Sequence, residues 1–153
     1  IVDAWLANSR HRKVWAWTAM NSRVLQRQPD ATIAVLGLAY KENTRSTKNS
    51  PSLALLAELK GRTVRVHDPV VSADEAGIPV EAATDAMTAC DGADAVAVMT
   101  PWPEYRNISA RDLAIQMRGR TVIDPYRVWN RAEIEAAGLD YVTLGVAPGA
   151  AAG

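Results

Sequence analysis

Residues 32–51, TIAVLGLAYKENTRSTKNSP, decide the fold of this chain. The segment begins with a short apolar run that stops at Gly37, which is typical of a buried parallel strand. A polar loop follows and ends at Ser50 and Pro51, a pair suited to the N-cap and first turn of a helix. Strand, basic loop and helix N-terminus predict an anion site, because amide N–H groups, the helix dipole and cationic side chains converge there.

The rest of the chain alternates strand and helix patterns. Strands are predicted at 32–36, 63–67, 94–99, 120–124 and 140–144, with a weaker one at 79–83. Helices are predicted at 50–60, 84–90, 109–117 and 130–137. Thr84, Ser109 and Asn130 are the expected N-caps. Gly61 and Gly138 are the expected C-terminal glycines. This alternation predicts an α/β fold, a Rossmann-like three-layer sandwich with a mainly parallel five- or six-stranded sheet.

One long helix is predicted over residues 1–28, before the sheet begins. Its apolar residues at helical spacing predict a buried stripe made of Val14, Trp17, Met20 and Val24. Trp5 and Trp15 fall off that stripe, so we expect the helix either to cover the sheet or to associate with another copy. The chain begins at Ile1 inside this helical pattern, and we expect it to be a fragment of a longer protein.

Composition excludes several classes of function. The 17 basic and 17 acidic residues cancel, which argues against a general nucleic-acid or membrane surface. Neither a membrane-spanning run nor a signal peptide is visible. The two histidines are isolated and the single cysteine, Cys90, has no partner, so no metal site and no disulfide framework are expected. A reducing, cytoplasmic location follows. Cys90 is predicted to be a small buried hydrophobe, and His67 to be structural.

Ligands of open parallel sheets bind beyond the carboxyl ends of the strands. The segments predicted there are 37–48, 67–69, 100–105 and 124–129. Three of the four combine charge with a Tyr or Trp, which suits a nucleotide. However, neither Gly-x-Gly-x-x-Gly nor Gly-x-x-x-x-Gly-Lys-Ser/Thr follows the first strand. A Rossmann-like shape therefore does not by itself predict bound NAD.

Several short motifs together resemble the C-terminal domain of UDP-glucose/GDP-mannose dehydrogenases. They are GLAYKENT at 37–44, SPSL at 50–53, HDP at 67–69, CDGADAV at 90–96, TPWPEY at 100–105 and DPYRV at 124–128. Asn8 to Lys13 is similar to the Asn-x-x-x-Arg-Arg of that family's central helix. The motifs occur in order over nearly the whole chain.

The resemblance implies an NAD-dependent enzyme that oxidises the CH₂OH of a nucleotide sugar, such as a UDP-sugar, to a carboxylate. Residues 1–28 would end the central dimerisation helix, and 29–145 would form the nucleotide-sugar-binding domain. Residues 146–153 would be a disordered tail. The family's catalytic cysteine and N-terminal NAD domain lie upstream, so this chain alone is expected to be inactive and Cys90 to have no catalytic role. A homodimer or higher homo-oligomer through the first helix is expected.

The resemblance also assigns residues to the site. Tyr40 and Lys41 match an aromatic–Lys pair that contacts the substrate. Arg127 matches a basic position near the nucleotide pyrophosphate, although Tyr126 stands where many members have the Arg. Lys48 replaces an Arg that reaches the NAD cofactor, which keeps the charge but loses the bidentate geometry.

Other interpretations of these residues stay open. Arg45 and Lys48 also suit solvated loop cations, and Trp102 suits a packing role. The alternative for the whole chain is a non-catalytic nucleotide-binding or assembly module with the same fold.

Overall fold

The structure, a computed structural model, describes residues 14–144. The expectations for Trp5, for the motif at Asn8 to Lys13 and for the tail at 146–153 lie outside the described residues. No helix in the described part of the chain is long and apolar enough to cross a bilayer.

The sheet has six parallel strands in the order β3-β2-β1-β4-β5-β6. They are β1 Thr32–Leu36, β2 Thr63–His67, β3 Glu81–Ala82, β4 Ala95–Val98, β5 Thr121–Ile123 and β6 Asp140–Val142. The central strands β1 and β4 are buried almost throughout, as their unbroken apolar sequences predict. The parallel sheet is thereby confirmed, and the weak strand predicted at 79–83 is the short edge strand β3.

Helices cover both faces of the sheet. They are α1 at 14–20, continued by a π-helical turn at Asn21–Leu25, α2 Pro51–Glu58, α3 Ala86–Cys90, α4 Pro103–Arg106, α5 Ala110–Gln116 and α6 Arg131–Ala136. A 3₁₀ turn lies at Ala73–Ala76. Right-handed crossovers place α2 on one face and α3, α5 and α6 on the other. In agreement, α3 contacts β1, β2 and α5, and α6 contacts α5 and β6.

Two local predictions were wrong, and one short helix was missed. The cap of α3 is Asp85, not Thr84, because the Asp85 carboxylate accepts the Thr88 N–H at 2.8 Å. Val14 is 61% exposed, whereas Met20 and Val24 of the same predicted stripe are buried. Helix α4 was not predicted, because its four residues are too few to show a helical period. By contrast, Ser50, Ser109 and Asn130 are the N-caps that were expected.

An ion pair closes the amino edge of the sheet. Arg118 donates to both carboxylate oxygens of Asp94, at 2.8 and 2.6 Å, and the Thr32 N–H donates to the same carboxylate at 2.8 Å. Gly119 lies against this pair so closely that a Cβ there would be 2.0 Å from the Asp94 carbonyl oxygen. The cluster joins the start of β1 to the loop before β5, and it lies at the opposite end of β1 from Gly37.

At the carboxyl edge, Gly37 allows β1 to pass directly beside Thr100. Gly37 has a φ of +97°, and a Cβ there would be 2.5 Å from the Thr100 Cβ. Both the backbone conformation and the close approach therefore require glycine at this position.

We predict that Gly37→Ala lowers the free energy of unfolding by about 3 kcal/mol or more, because it adds a steric clash to a strained φ. Gly61→Ala is the matched control, since Gly61 has a φ of +88° with nothing within 4 Å of its Cβ position. The control is expected to cost about 1–2 kcal/mol from φ alone. Urea unfolding measures both, and equal costs for the two variants would contradict the close approach.

Candidate functional site

The Asp68 carboxylate, just after β2, joins three loops at the carboxyl edge of the sheet. It accepts five hydrogen bonds, from the N–H groups of Leu38 (2.7 Å), Ala39 (3.0 Å), Val70 (2.8 Å) and Val71 (2.8 Å) and from the Trp102 indole N–H (3.1 Å). Burial alone would raise the pKa of Asp68. The hydrogen bonds from the four amides outweigh that effect and hold the pKa below its usual value of 3.8.

Three hydroxyl groups fix the carbonyls of the turn that follows β1. Ser52 Oγ donates to the Gly37 carbonyl at 2.5 Å, Ser50 Oγ to the Leu38 carbonyl at 2.9 Å and Thr100 Oγ1 to the Ala39 carbonyl at 2.8 Å. Ser50 Oγ also accepts the Ser52 and Leu53 amides at the start of α2. Both sides of this backbone segment are thus bonded within the chain.

These bonds correct the anion site expected from sequence. The amides of the β1 turn donate to Asp68, and the first amides of α2 donate to the Ser50 hydroxyl. The predicted convergence of free N–H groups on an external anion is therefore wrong. The cationic side chains of this edge stay available to a ligand.

The aromatic residues at the strand ends form the scaffold. Tyr105, Trp102 and Trp129 are all buried. The Tyr105 hydroxyl donates to the His67 carbonyl at 3.0 Å and lies 3.0 Å from His67 Nδ1, which donates to it. The Trp129 indole donates to the Tyr105 carbonyl at 2.8 Å. These rings link the loops after β2, β4 and β5, and they are not presented to a base as the strand-end pattern suggested.

One loop, between β1 and α2, carries Tyr40, Lys41, Arg45 and Lys48. A backbone hydrogen bond closes the part of this loop from Tyr40 to Ser46. The Tyr40 N–H donates to the Ser46 carbonyl at 2.7 Å. Tyr40 is half-buried, whereas the three cations are exposed and form no salt bridge with any residue in 14–144. Three exposed cations on one short loop make a positively charged surface at the carboxyl edge.

Arg127 reaches the same edge on the loop after β5. The buried Asp124 carboxylate accepts the Val128 N–H at 3.0 Å, the Trp129 N–H at 2.9 Å and the Tyr141 hydroxyl at 2.8 Å. Burial raises the pKa of Asp124 despite these bonds. The turn so formed gives Arg127 a φ of +52° and leaves its side chain exposed.

Arg127 and Lys41 lie on two loops whose strands are separated by a single strand. The loops follow β5 and β1, with β4 between them, so the strand ends are about 10 Å apart. Tyr126 is half-buried and packs against the core. Of Tyr126 and Arg127, the two residues that could match the family's basic position, Arg127 is therefore the one exposed at the edge.

Cys90 and one open groove lie away from the predicted site residues. Cys90 is buried, and burial raises the pKa of its thiol to about 12. It remains a protonated thiol at neutral pH, as expected of a packing residue. Among the described residues, an open groove of about 670 Å³ lies between α5 and α6, lined mainly by alanines with Ile115, and none of the predicted site residues lines it.

The comparisons with known proteins agree with this geometry. Residues 34–131 match the model of the UDP-glucose/GDP-mannose dehydrogenase family, UDP binding domain. The chain belongs to this family. The resemblance seen in the sequence motifs is thereby confirmed.

Relatives and solved structures extend the match beyond the motifs. UDP-glucose 6-dehydrogenase TuaD of Bacillus subtilis is 31% identical over 119 residues, which are 74% of this chain and 26% of TuaD. UDP-glucose 6-dehydrogenase of Pseudomonas aeruginosa is 32% identical over 74% of this chain and 27% of that protein. The structure of the UDP-D-ManNAc dehydrogenase from Pyrococcus horikoshii has a TM-score of 0.68 and 26% identity, over 84% of this chain and 30% of that one. The chain thus spans about a quarter of the length of these curated relatives.

Sequence reasoning missed Asp68 as the centre of this carboxyl edge. The HDP motif at 67–69 was noticed as a strand end and as part of the resemblance, but no role was given to Asp68. An aspartate directly after a parallel strand, next to a loop with unsatisfied amides, is the signal that was available.

We predict that acid destabilises the chain partly through Asp68. A carboxyl with a lowered folded pKa stabilises the fold above pH 3.8, and this contribution is lost as the pH falls through the folded pKa. Asp124 has a raised pKa, so its contribution to the free energy of unfolding increases as the pH falls. It therefore cannot produce this decline. Free energies of unfolding in urea, measured between about pH 2.5 and pH 7, are expected to fall less steeply in Asp68→Asn than in the wild type. Equal slopes below pH 3.8 would contradict the pKa direction.

Proposed function

We propose that this chain is the UDP-binding domain of an NAD-dependent nucleotide-sugar 6-dehydrogenase, which oxidises the sugar CH₂OH to a carboxylate. The observation that carries the proposal is the family match over 34–131, which includes every loop of the carboxyl edge described above. Within the whole enzyme, this chain would bind and orient the nucleotide sugar while the oxidation takes place elsewhere.

The loop cations account for diphosphate binding. Lys41 is exposed and forms no salt bridge with any residue in 14–144, so its ammonium is able to bind a phosphate oxygen. Tyr40 lies beside it with a half-buried ring that is able to pack on a ribose or sugar. Arg127, across one strand, supplies a second charge with a planar guanidinium suited to the pyrophosphate.

A complete NAD site does not fit this chain. The turn after β1, which binds the pyrophosphate in dinucleotide-binding domains, has its amides bonded to Asp68. We propose that Lys48, exposed two residues before the cap of α2, extends toward an NAD held by another part of the protein. NAD supplies the hydride acceptor of such reactions.

Nothing in the described residues replaces the family's catalytic cysteine. Cys90 is buried with a pKa raised to about 12, so it supplies no thiolate at neutral pH. This supports a binding role for the chain and supports the expectation that it has no dehydrogenase activity alone. The cytoplasmic location also stays a prediction.

We predict that Lys41→Ala weakens UDP binding about tenfold, because a charge-assisted hydrogen bond to phosphate is lost. Lys60→Ala is the matched control, since Lys60 is an exposed lysine just past the end of α2, at the amino edge of the sheet. Isothermal titration calorimetry with UDP measures both variants. Equal loss in the two variants, or no binding of UDP by the wild type at millimolar concentration, would contradict the proposal.

The first helix is proposed as a contact between copies of the chain. Val14 is 61% exposed, and Trp15 and Trp17 are only partly buried against the core. Burying these residues in a second copy would remove apolar surface from water. This proposal agrees with the dimerisation role that the resemblance assigns to residues 1–28.

Sedimentation velocity tests the proposed contact. We predict a dimer or larger species that Val14→Glu shifts toward monomer, because a buried unpaired carboxylate is costly. Ile115→Glu is the control, because Ile115 is an exposed apolar residue on α5 and not on the first helix. This variant is expected to leave the assembly unchanged. A monomer at all concentrations, with tryptophans open to acrylamide quenching, would contradict the contact.

A further inference from the structure

We infer that Asp68 is a positioning residue for nucleotide binding, which holds the start of the Tyr40–Lys41 loop by acting as an internal anion. The inference rests on the proposed function and assigns a role to a residue that is not itself expected to touch the ligand. It begins from the five donors that converge on this one carboxylate.

The hydrogen bonds run without a break from Asp68 to the loop. Ala39 donates its N–H to Asp68, and its carbonyl accepts from Thr100 Oγ1. The next N–H, that of Tyr40, donates to the Ser46 carbonyl and closes the neck of the loop. Lys41 is therefore only two residues from Ala39, whose N–H and carbonyl are both hydrogen-bonded. These bonds fix the backbone at the point where the Lys41 loop begins.

Only a carboxylate satisfies this arrangement. Oδ2 accepts from Leu38, Ala39 and Trp102, and Oδ1 accepts from Val70 and Val71. An asparagine presents one oxygen and one NH₂ group, so at least two amide donors would face another donor. The substitution keeps the volume of the side chain but leaves either the β1 turn or the β2 turn without its acceptor.

Asp94 offers a comparison within the same sheet. It too is a carboxylate that accepts a β1 amide, from Thr32, and its pKa is lowered, chiefly by the hydrogen bonds from Arg118. It lies at the amino edge, at the opposite end of β1 from the Lys41 loop. A purely structural role for Asp68 predicts that the two carboxylates behave alike in ligand binding, whereas a positioning role predicts that they differ.

The test measures UDP affinity by calorimetry for the wild type, Asp68→Asn, Lys41→Ala, the double variant and Asp94→Asn. Asp68→Asn is expected to weaken UDP binding about tenfold, because the loop loses its preorganisation. The double variant is expected to bind within about twofold of Lys41→Ala alone, since the two residues act through one contact. Asp94→Asn is expected to lower the melting temperature and leave UDP affinity unchanged.

The outcomes separate this inference from the proposed function. Wild-type affinity in Asp68→Asn, or additive losses in the double variant, would overturn the positioning role while UDP binding stands. Absence of UDP binding in the wild type would overturn the proposed function.

Amide hydrogen exchange then decides the positioning claim independently. Exchange at residues 40–46 is expected to be faster in Asp68→Asn but not in Asp94→Asn, and equal exchange would refute it. If Asp68→Asn does not fold, Trp102→Phe removes one donor from the same carboxylate. It is expected to weaken UDP binding by about twofold or more, and an unchanged affinity would refute the role.

Discussion

The hydrogen bonds accepted by the Asp68 carboxylate organise the carboxyl edge of this domain. Each bond to a charged acceptor contributes about 1.5–3 kcal/mol when partly shielded from water, and the five donors come from the loops after β1, β2 and β4. Through Trp102 and Tyr105 the same network continues to Trp129 in the loop after β5. The carboxylate thus accepts amides of the turn that binds the pyrophosphate in dinucleotide-binding domains.

The turn after β1 donates its amides to Asp68, and this limits how a ligand can be held. The amides of Leu38 and Ala39 and the first amides of α2 are bonded within the chain, so the proposed binding relies on side chains that extend beyond the scaffold. The chain as a whole carries no net charge. The cations Lys41, Arg45 and Lys48, however, form no salt bridge among residues 14–144 and create a local positive potential. In the proposed function, a domain of this kind supplies one part of a nucleotide site.

Apolar runs and turn residues were sufficient to predict most of the fold from sequence. Runs such as 32–36 and the glycines at 61 and 138 locate strands and helix ends, because burial and backbone conformation leave a local signature. The strand-end aromatics and Asp68 were harder to interpret, because their partners are distant in sequence. Trp102 lies 34 residues from Asp68, and Tyr105 lies 38 residues from His67. Residue type alone does not distinguish a ring that supports the site from one that contacts a ligand.

Backbone amide chemical shifts during titration with UDP show where the nucleotide binds. We expect shifts to change at residues 40–48 and 126–128, at the carboxyl edge of the sheet, where Lys41 and Arg127 are exposed. The amides of Leu38 and Ala39 are expected to keep their bonds to Asp68 and to remain protected from exchange. Shift changes confined to the groove between α5 and α6, or loss of protection at Leu38 and Ala39 as UDP binds, would contradict these expectations.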